Sequence, residues 1–330
     1  MDDVIVPNDV GMVYQGWRTR VINQFLANLP PLIAKIEYDP SAITTLDEDL
    51  SSLIDAFNTN LAIPHIPFDP LCRLLKATNK YLNVRGLIQQ QVEWGQALLR
   101  YFLDHPEVGG DIDIAVLAII ANGFERLGQL EDAINLYEFI VELFDDDLNN
   151  PNLGAIYYNM ALAYQKQDNF ASAIEACELA IRIDTHYLDN RAVAITRMLL
   201  ADLHFSLGDN RAGFGQMKQA ITVIEHLNNP SILALYTGKL AFFMARYDNF
   251  EKAIPLFQSA MTQWELLGDK EQLGLVMFNY AVLLQETNHP ADAYRYAYDS
   301  LHLFEALNHP HQETVKEALE TWENEGHSTT

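Results

Sequence analysis

Cysteine is nearly absent from this 330-residue chain. The two present, Cys72 and Cys177, lie far apart within helical patterns, which excludes a disulfide framework and predicts buried thiols in a reduced protein. Basic residues are scarce as well: 21 stand against 45 acidic ones, a formal net charge of −24 that would repel a phosphate backbone. No local basic cluster offsets it, so nucleic acid is not an expected partner. No stretch approaches about 18 uninterrupted apolar residues, and the start Met1-Asp2-Asp3-Val4 has neither a basic segment nor an apolar run. A membrane partner is therefore not expected, and the chain reads as cytoplasmic.

The groupings that carry chemistry are missing too. There is no Gly-x4-Gly-Lys-Ser/Thr loop to cradle phosphates, no His-Glu-x2-His, no paired Cys-x2-Cys and no Gly-x-Ser-x-Gly. His302, His309 and His311 gather near one helix end, where the helix dipole already favours imidazolium, and Asp145-Asp146-Asp147 beside Asn149 and Asn150 fits a solvated turn. Neither is read as a metal site. An enzyme is the least favoured reading, and no cofactor is expected.

What the chain does have is a 40-residue period from Ile112 to His311. Ala121, Ala161, Ala201, Ala241 and Ala281 form one ladder of small residues; Ala133, Ala173, Gly213, Ala253 and Ala293 form a second, twelve residues behind. Between them, at constant phase, stand Gly128, Asp168, Gly208, Asp248 and Asn288, residue types that tolerate left-handed backbone at a helix end. Each copy is thus helix, turn, helix. Small residues on both helices allow close approach, and large apolar ones such as Phe124, Tyr137, Tyr164, Phe170, Phe250 and Phe257 fill the groove. One such pair cannot bury its own faces, so the copies must stack.

The motifs Phe124-x3-Gly128-x-Leu130-x2-Ala133-x3-Tyr137, Tyr164-x3-Asp168-x-Phe170-x2-Ala173 and Met244-x3-Asp248-x-Phe250-x2-Ala253-x3-Phe257 resemble the tetratricopeptide repeat. The resemblance covers about 200 residues and implies an all-α, right-handed superhelical solenoid of antiparallel helix pairs. The long period is similar to that of the sensor regions of bacterial signalling ATPases and peptide-responsive regulators. Tyr81-Leu82-x2-Arg85-Gly86-Leu87, Trp94-x3-Leu98-Leu99 and Leu46-x2-Asp49-x2-Ser52-Leu53-x2-Ala56-Phe57 look like the junction that precedes those regions, although Asp49 and Ser52 stand where that family has Glu and Asn. The third copy departs most from the repeat, with His204, Asn210 and Gly213 at key positions, and is expected to pack most loosely.

Four segments follow. Residues 1–70 form an N-terminal helical segment: a loose arm to about residue 12, a helical spacing from Val13 to Ile36 that Pro30-Pro31 end or kink near Leu29, and a second helix starting at a Thr45 or Asp47 cap. The stretch from Ile63 to Pro70 is expected to break helix. Residues 71–111 read as a degenerate pair turning at Gly86, an atypical capping repeat, and residues 112–310 as the five repeats. Residues 311–330 form a capping helix from about Gln312 to Glu323, with Val315, Leu319 and Trp322 inward, and a frayed tail from Gly326.

With no catalytic constellation, surface is what remains. Residues two before and five after each first-helix alanine are rotated from it by roughly 140–160° and line the concave groove of a tetratricopeptide stack. The first series reads Ile119, Asn159, Leu199, Lys239 and Asn279; the second reads Arg126, Lys166, Ser206, Arg246 and Glu286. Arg126, Lys166 and Arg246, with Lys239 nearby, suggest a positive track for a carboxylate or acidic peptide. Asn159 and Asn279 offer donor and acceptor to a peptide backbone; in the families resembled, asparagines at this place clamp a peptide main chain. Tyr158 and Phe242 supply candidate pockets for apolar side chains. The expected function is a protein- or peptide-binding scaffold, or alternatively a ligand-responsive regulatory sensor.

Overall fold

The computed structural model describes residues 8–36, 40–62, 68–105, 113–144, 150–227, 229–307 and 309–327. Every secondary-structure element among them is a helix, and the chain divides into two compact units, Met1–Ile183 and Asp184–Thr330. No helix among the described residues is long and apolar enough to cross a membrane.

The first unit begins with α1 (Asn8–Ile33) and α2 (Pro40–Leu61), which pack on α3 (Phe68–Val84) and α4 (Ile88–Asp104). Helix α1 starts earlier than its sequence suggests and runs through Pro30-Pro31. The prolines remove the bonds to the carbonyls of Leu26 and Ala27, but the turn beyond them still closes, with Ala34 N on Pro30 O at 3.0 Å, and burial of Leu29 and Ile33 keeps it docked. Helix α2 likewise starts at Pro40 rather than near Thr45, because Ala42 and Leu46 extend its buried face and proline suits a first helical position. Phe57 of α2 stacks on Trp94 of α4 at 4.0 Å, and the indole donates to Asn58 at 2.9 Å. Phe68 to Pro70 open α3 rather than extending the break before it, while residues 63–67 lie outside the described residues, as do residues 1–7 of the expected arm and the Asp145–Asp147 run.

The pairs α5 (Ile114–Arg126) with α6 (Leu130–Phe144) and α7 (Asn152–Lys166) with α8 (Phe170–His186) complete the first unit, whose boundary falls inside α8. The second unit holds α9 (Asn190–Ser206) with α10 (Asn210–Leu227), α11 (Pro230–Tyr247) with α12 (Phe250–Leu267), α13 (Lys270–Glu286) with α14 (Pro290–Ala306), and α15 (His311–His327) against α14. In each unit first helices touch first helices: α3 with α5 and α5 with α7, and separately α11 with α13. Both ladders are buried throughout, with Ala121, Ala161, Ala201, Ala241 and Ala281 at zero exposure. Helix α15 buries Val315 and Leu319, sets Trp322 edge-on to Tyr294, and reaches His327, past the point where fraying is expected.

The turn signal has a common structural basis. At Gly128 the chain turns left-handed (φ 77°), Gln129 N donates to Phe124 O at 2.9 Å and Gly128 N to Glu125 O at 3.1 Å, so the helix's last carbonyls are satisfied. Asp168, Gly208 and Asn288 repeat the pattern. Asp248 does not: its φ is −125°, because α11 continues to Tyr247, whose ring stacks on Phe205 at 5.2 Å. The third copy is not loosely filled either. Phe205, 4% exposed, lays its ring against Gly213 and stacks on Phe243 at 4.4 Å, supplying from α9 the aromatic bulk that Asn210 lacks.

Candidate binding grooves on the first helices

In the first unit, α3, α5 and α7 enclose a groove of about 400 Å³ with Ile114, Ile119 and Ile156 among its lining residues. Four asparagines line it; besides Asn152 at the start of α7, Asn79, Asn122 and Asn159 come one from each of the three helices. Their hydrogen bonds fix which way each amide faces. Asn79 Oδ1 accepts from Gln91 Nε2 at 2.5 Å and Asn83 Nδ2 at 3.0 Å; Asn122 Oδ1 accepts from the Tyr137 hydroxyl and from Asn159 Nδ2 at 3.1 Å. With both lone pairs of each oxygen engaged, the NH₂ groups of Asn79 and Asn122 remain as donors and Asn159 Oδ1 remains as an acceptor. Lys76, also on the lining, is ion-paired with Asp113. Burial would raise the Asp113 carboxyl, but hydrogen bonds from Lys76 and from Ala115 N outweigh it and hold the group below its ordinary range.

In the second unit, α9, α11, α12 and α13 line a groove of about 340 Å³ with Asp202, Lys239, Phe242, Phe243, Gln272 and Asn279 among its residues. Its central pair repeats that of the first unit two copies on. Asn122 to Asp202 and Asn159 to Lys239 are both steps of 80 residues, so the same two positions carry an amide pair in one unit and a carboxylate–ammonium pair in the other. Lys239 Nζ lies 3.6 Å from Asp202 Oδ2, while Asp202 Oδ1 is buried without a hydrogen-bond partner. Burial raises the Asp202 carboxyl, and Lys239 opposes that shift.

The structure thus sets Asn159 in one groove and Lys239, Phe242 and Asn279 in the other. It does not leave a free basic track. Arg126 donates to Asn83 Oδ1, Lys166 pairs with Glu125 at 2.7 Å, and Arg246 lies 3.8 Å from Glu286 and 6.0 Å from the Phe242 ring centre. Asn83, Glu125 and Glu286 each sit on a neighbouring first helix of the same unit, so each base is engaged within its unit. Tyr158, half-buried on α7, is not among the residues lining the first groove. Sequence reasoning missed Asn79, Asn122 and Asp202. The signal for two of them was a polar residue directly after a ladder alanine, inside an otherwise apolar run such as Ile119-Ile120-Ala121-Asn122-Gly123-Phe124.

Elsewhere, His309 lies 3.6 Å from Glu271 and stacks on Phe304. Among the described residues no group of three or more His, Cys, Asp or Glu side chains is placed to hold a metal ion. Cys72 and Cys177 are free and buried, and burial pushes both thiols up to about 12.

Residues 154–187, which span most of α7 and all of α8, match the tetratricopeptide repeat family. No curated protein matches the chain by sequence. Among solved structures, the apo form of RapI superposes with a TM-score of 0.58 at 12% identity, covering 89% of this chain and 98% of its own. A signal transduction ATPase with numerous domains and a tetratricopeptide repeat sensor, from Pyrococcus horikoshii, gives 0.54 at 17% identity, covering 78% of this chain and 40% of its own. BtubC (BKLC) from P. vanneervenii gives 0.53 at 16% identity, covering 74% and 93%. At these identities the likeness is one of fold.

Proposed function

We propose that this tetratricopeptide repeat protein is a non-catalytic binding module that holds an extended peptide, or a partner's tail, in the grooves of its first helices. The observation that carries the reading is the asparagine series of the first unit. Two amide donors and one amide acceptor, held by bonds behind them and set among isoleucines, match the alternating C=O and N–H groups of an extended backbone. Binding of this kind is set by backbone geometry first, and the flanking apolar surface selects side chains. The carboxylate preference is not part of this reading, because Arg126, Lys166 and Arg246 each have a partner within the chain. A reduced, cytoplasmic setting agrees with the two free buried thiols.

The sensor reading uses the same grooves and adds a partner whose equilibrium the ligand shifts. It draws on the fold shared with the tetratricopeptide repeat sensor of the Pyrococcus horikoshii ATPase and on the helices that resemble a signalling-ATPase junction. The test common to both is selection of displayed random peptides on the full chain, followed by affinity measurement. Asn79→Leu and Asn159→Leu are expected to weaken a selected peptide by about tenfold each in chains that still melt cooperatively, Asn79→Leu at a lower temperature because Gln91 loses its acceptor. Unchanged affinity in both variants would place the peptide elsewhere and overturn the proposal.

A further inference from the structure

The second groove differs from the first in charge, and the difference defines a ligand group. Resting on the peptide reading above, we infer that this groove seats a lysine or arginine side chain of a bound peptide against Asp202, in the place Lys239 now holds. Asp202 belongs to the body of α9 and carries no donor on its buried oxygen. Its single ionic partner stands 3.6 Å away, beyond an ordinary N–H···O distance of roughly 2.7–3.2 Å, and that lysine side chain is 43% exposed. Lys239 can therefore turn to water as an incoming cation takes its place on Asp202, whereas the carboxylate stays in the groove. Phe242 also lines the groove, and its ring already takes a guanidinium, that of Arg246 at 6.0 Å from the ring centre. Asn279 and Gln272 add amide oxygens as acceptors. A carboxylate entering here would face Asp202 instead. The chain's net charge of −24 favours approach of a cationic segment and disfavours an acidic one.

The experiment selects displayed random peptides in parallel on the wild-type chain, on Asp202→Asn and on Lys239→Gln, each first shown to melt cooperatively near the wild-type temperature. Wild type is expected to enrich lysine or arginine at one position, and Lys239→Gln to enrich it further. Asp202→Asn is expected to select peptides without that preference, and to bind a synthetic lysine-bearing peptide about tenfold more weakly than wild type. Replacing that lysine by norleucine should lower wild-type affinity and leave Asp202→Asn unaffected. Enrichment of acidic residues, no charge preference, or a basic preference that survives Asp202→Asn overturns the inference. The peptide reading stands in those cases if Asn79→Leu and Asn159→Leu still weaken the selected peptides. Failure of all three chains to select any peptide overturns both.

Discussion

The ring of Phe205 occupies the space that a side chain on Gly213 would need: a Cβ built there would stand 2.9 Å from the Phe205 Cε1 and Cζ atoms. Four other members of the same ladder are alanine, so the glycine is the counterpart of an aromatic residue arriving from α9 rather than a defect in α10.

Gly213→Ala is therefore expected to destabilise the protein. Helix propensity alone would favour alanine by about 1 kcal/mol, but the ring is wedged between Phe214, Phe243 and Tyr247 and has little room to withdraw. Overpacking of this kind costs about 1–3 kcal/mol. Phe205→Leu in the Gly213→Ala background should recover part of the loss, and a double-mutant cycle from denaturant unfolding measures the coupling. A more stable Gly213→Ala protein would contradict the account.

The ladders were legible because small residues at a fixed period leave little alternative to close helix packing, and Ala121 through Ala281 are buried as that period requires. The grooves were only half legible. Rotating outward from each alanine by an ideal 100° per residue finds positions two before and five after, and so Asn159, Lys239 and Asn279. It misses the residue directly after the alanine, because in each unit neighbouring first helices meet along that flank and make Asn122 and Asp202 part of the groove. Pairing of the basic stripe was hidden for a related reason. Glu125 and Glu286 each lie about one repeat from the base they meet, Lys166 and Arg246, so local sequence shows the charge and not its partner.

That pairing changes what charge reversal does. Lys166→Glu places a carboxylate beside Glu125, whose side chain is only 11% exposed, whereas Lys166→Met merely removes an ion pair with one exposed member. The reversal should cost about 1 kcal/mol more than the neutral change at low salt. The gap should narrow at about 1 M salt, where the screening length falls to roughly 3 Å. Equal melting temperatures for the two variants at low salt would mean that Lys166 is not held at Glu125 in solution.

The last prediction concerns Asp184, on the final turns of α8. It is 5% exposed, and burial, with Asp189 adding repulsion, raises its carboxyl to about 6. An unfolded aspartate titrates near 3.9, so between about pH 4 and pH 6 the folded chain holds a proton that the unfolded chain has lost. Stability from this group is fully present below about pH 4 and is lost as pH rises through 6, the reverse of a carboxylate held in an ion pair. Asp184→Asn removes the ionisation. It should stabilise the protein by about 1–3 kcal/mol at pH 7 to 8 and leave it nearly unchanged at pH 4, measured by denaturant unfolding across that range. A gain of the same size at both pH values would trace the effect to packing of the amide and not to the buried charge.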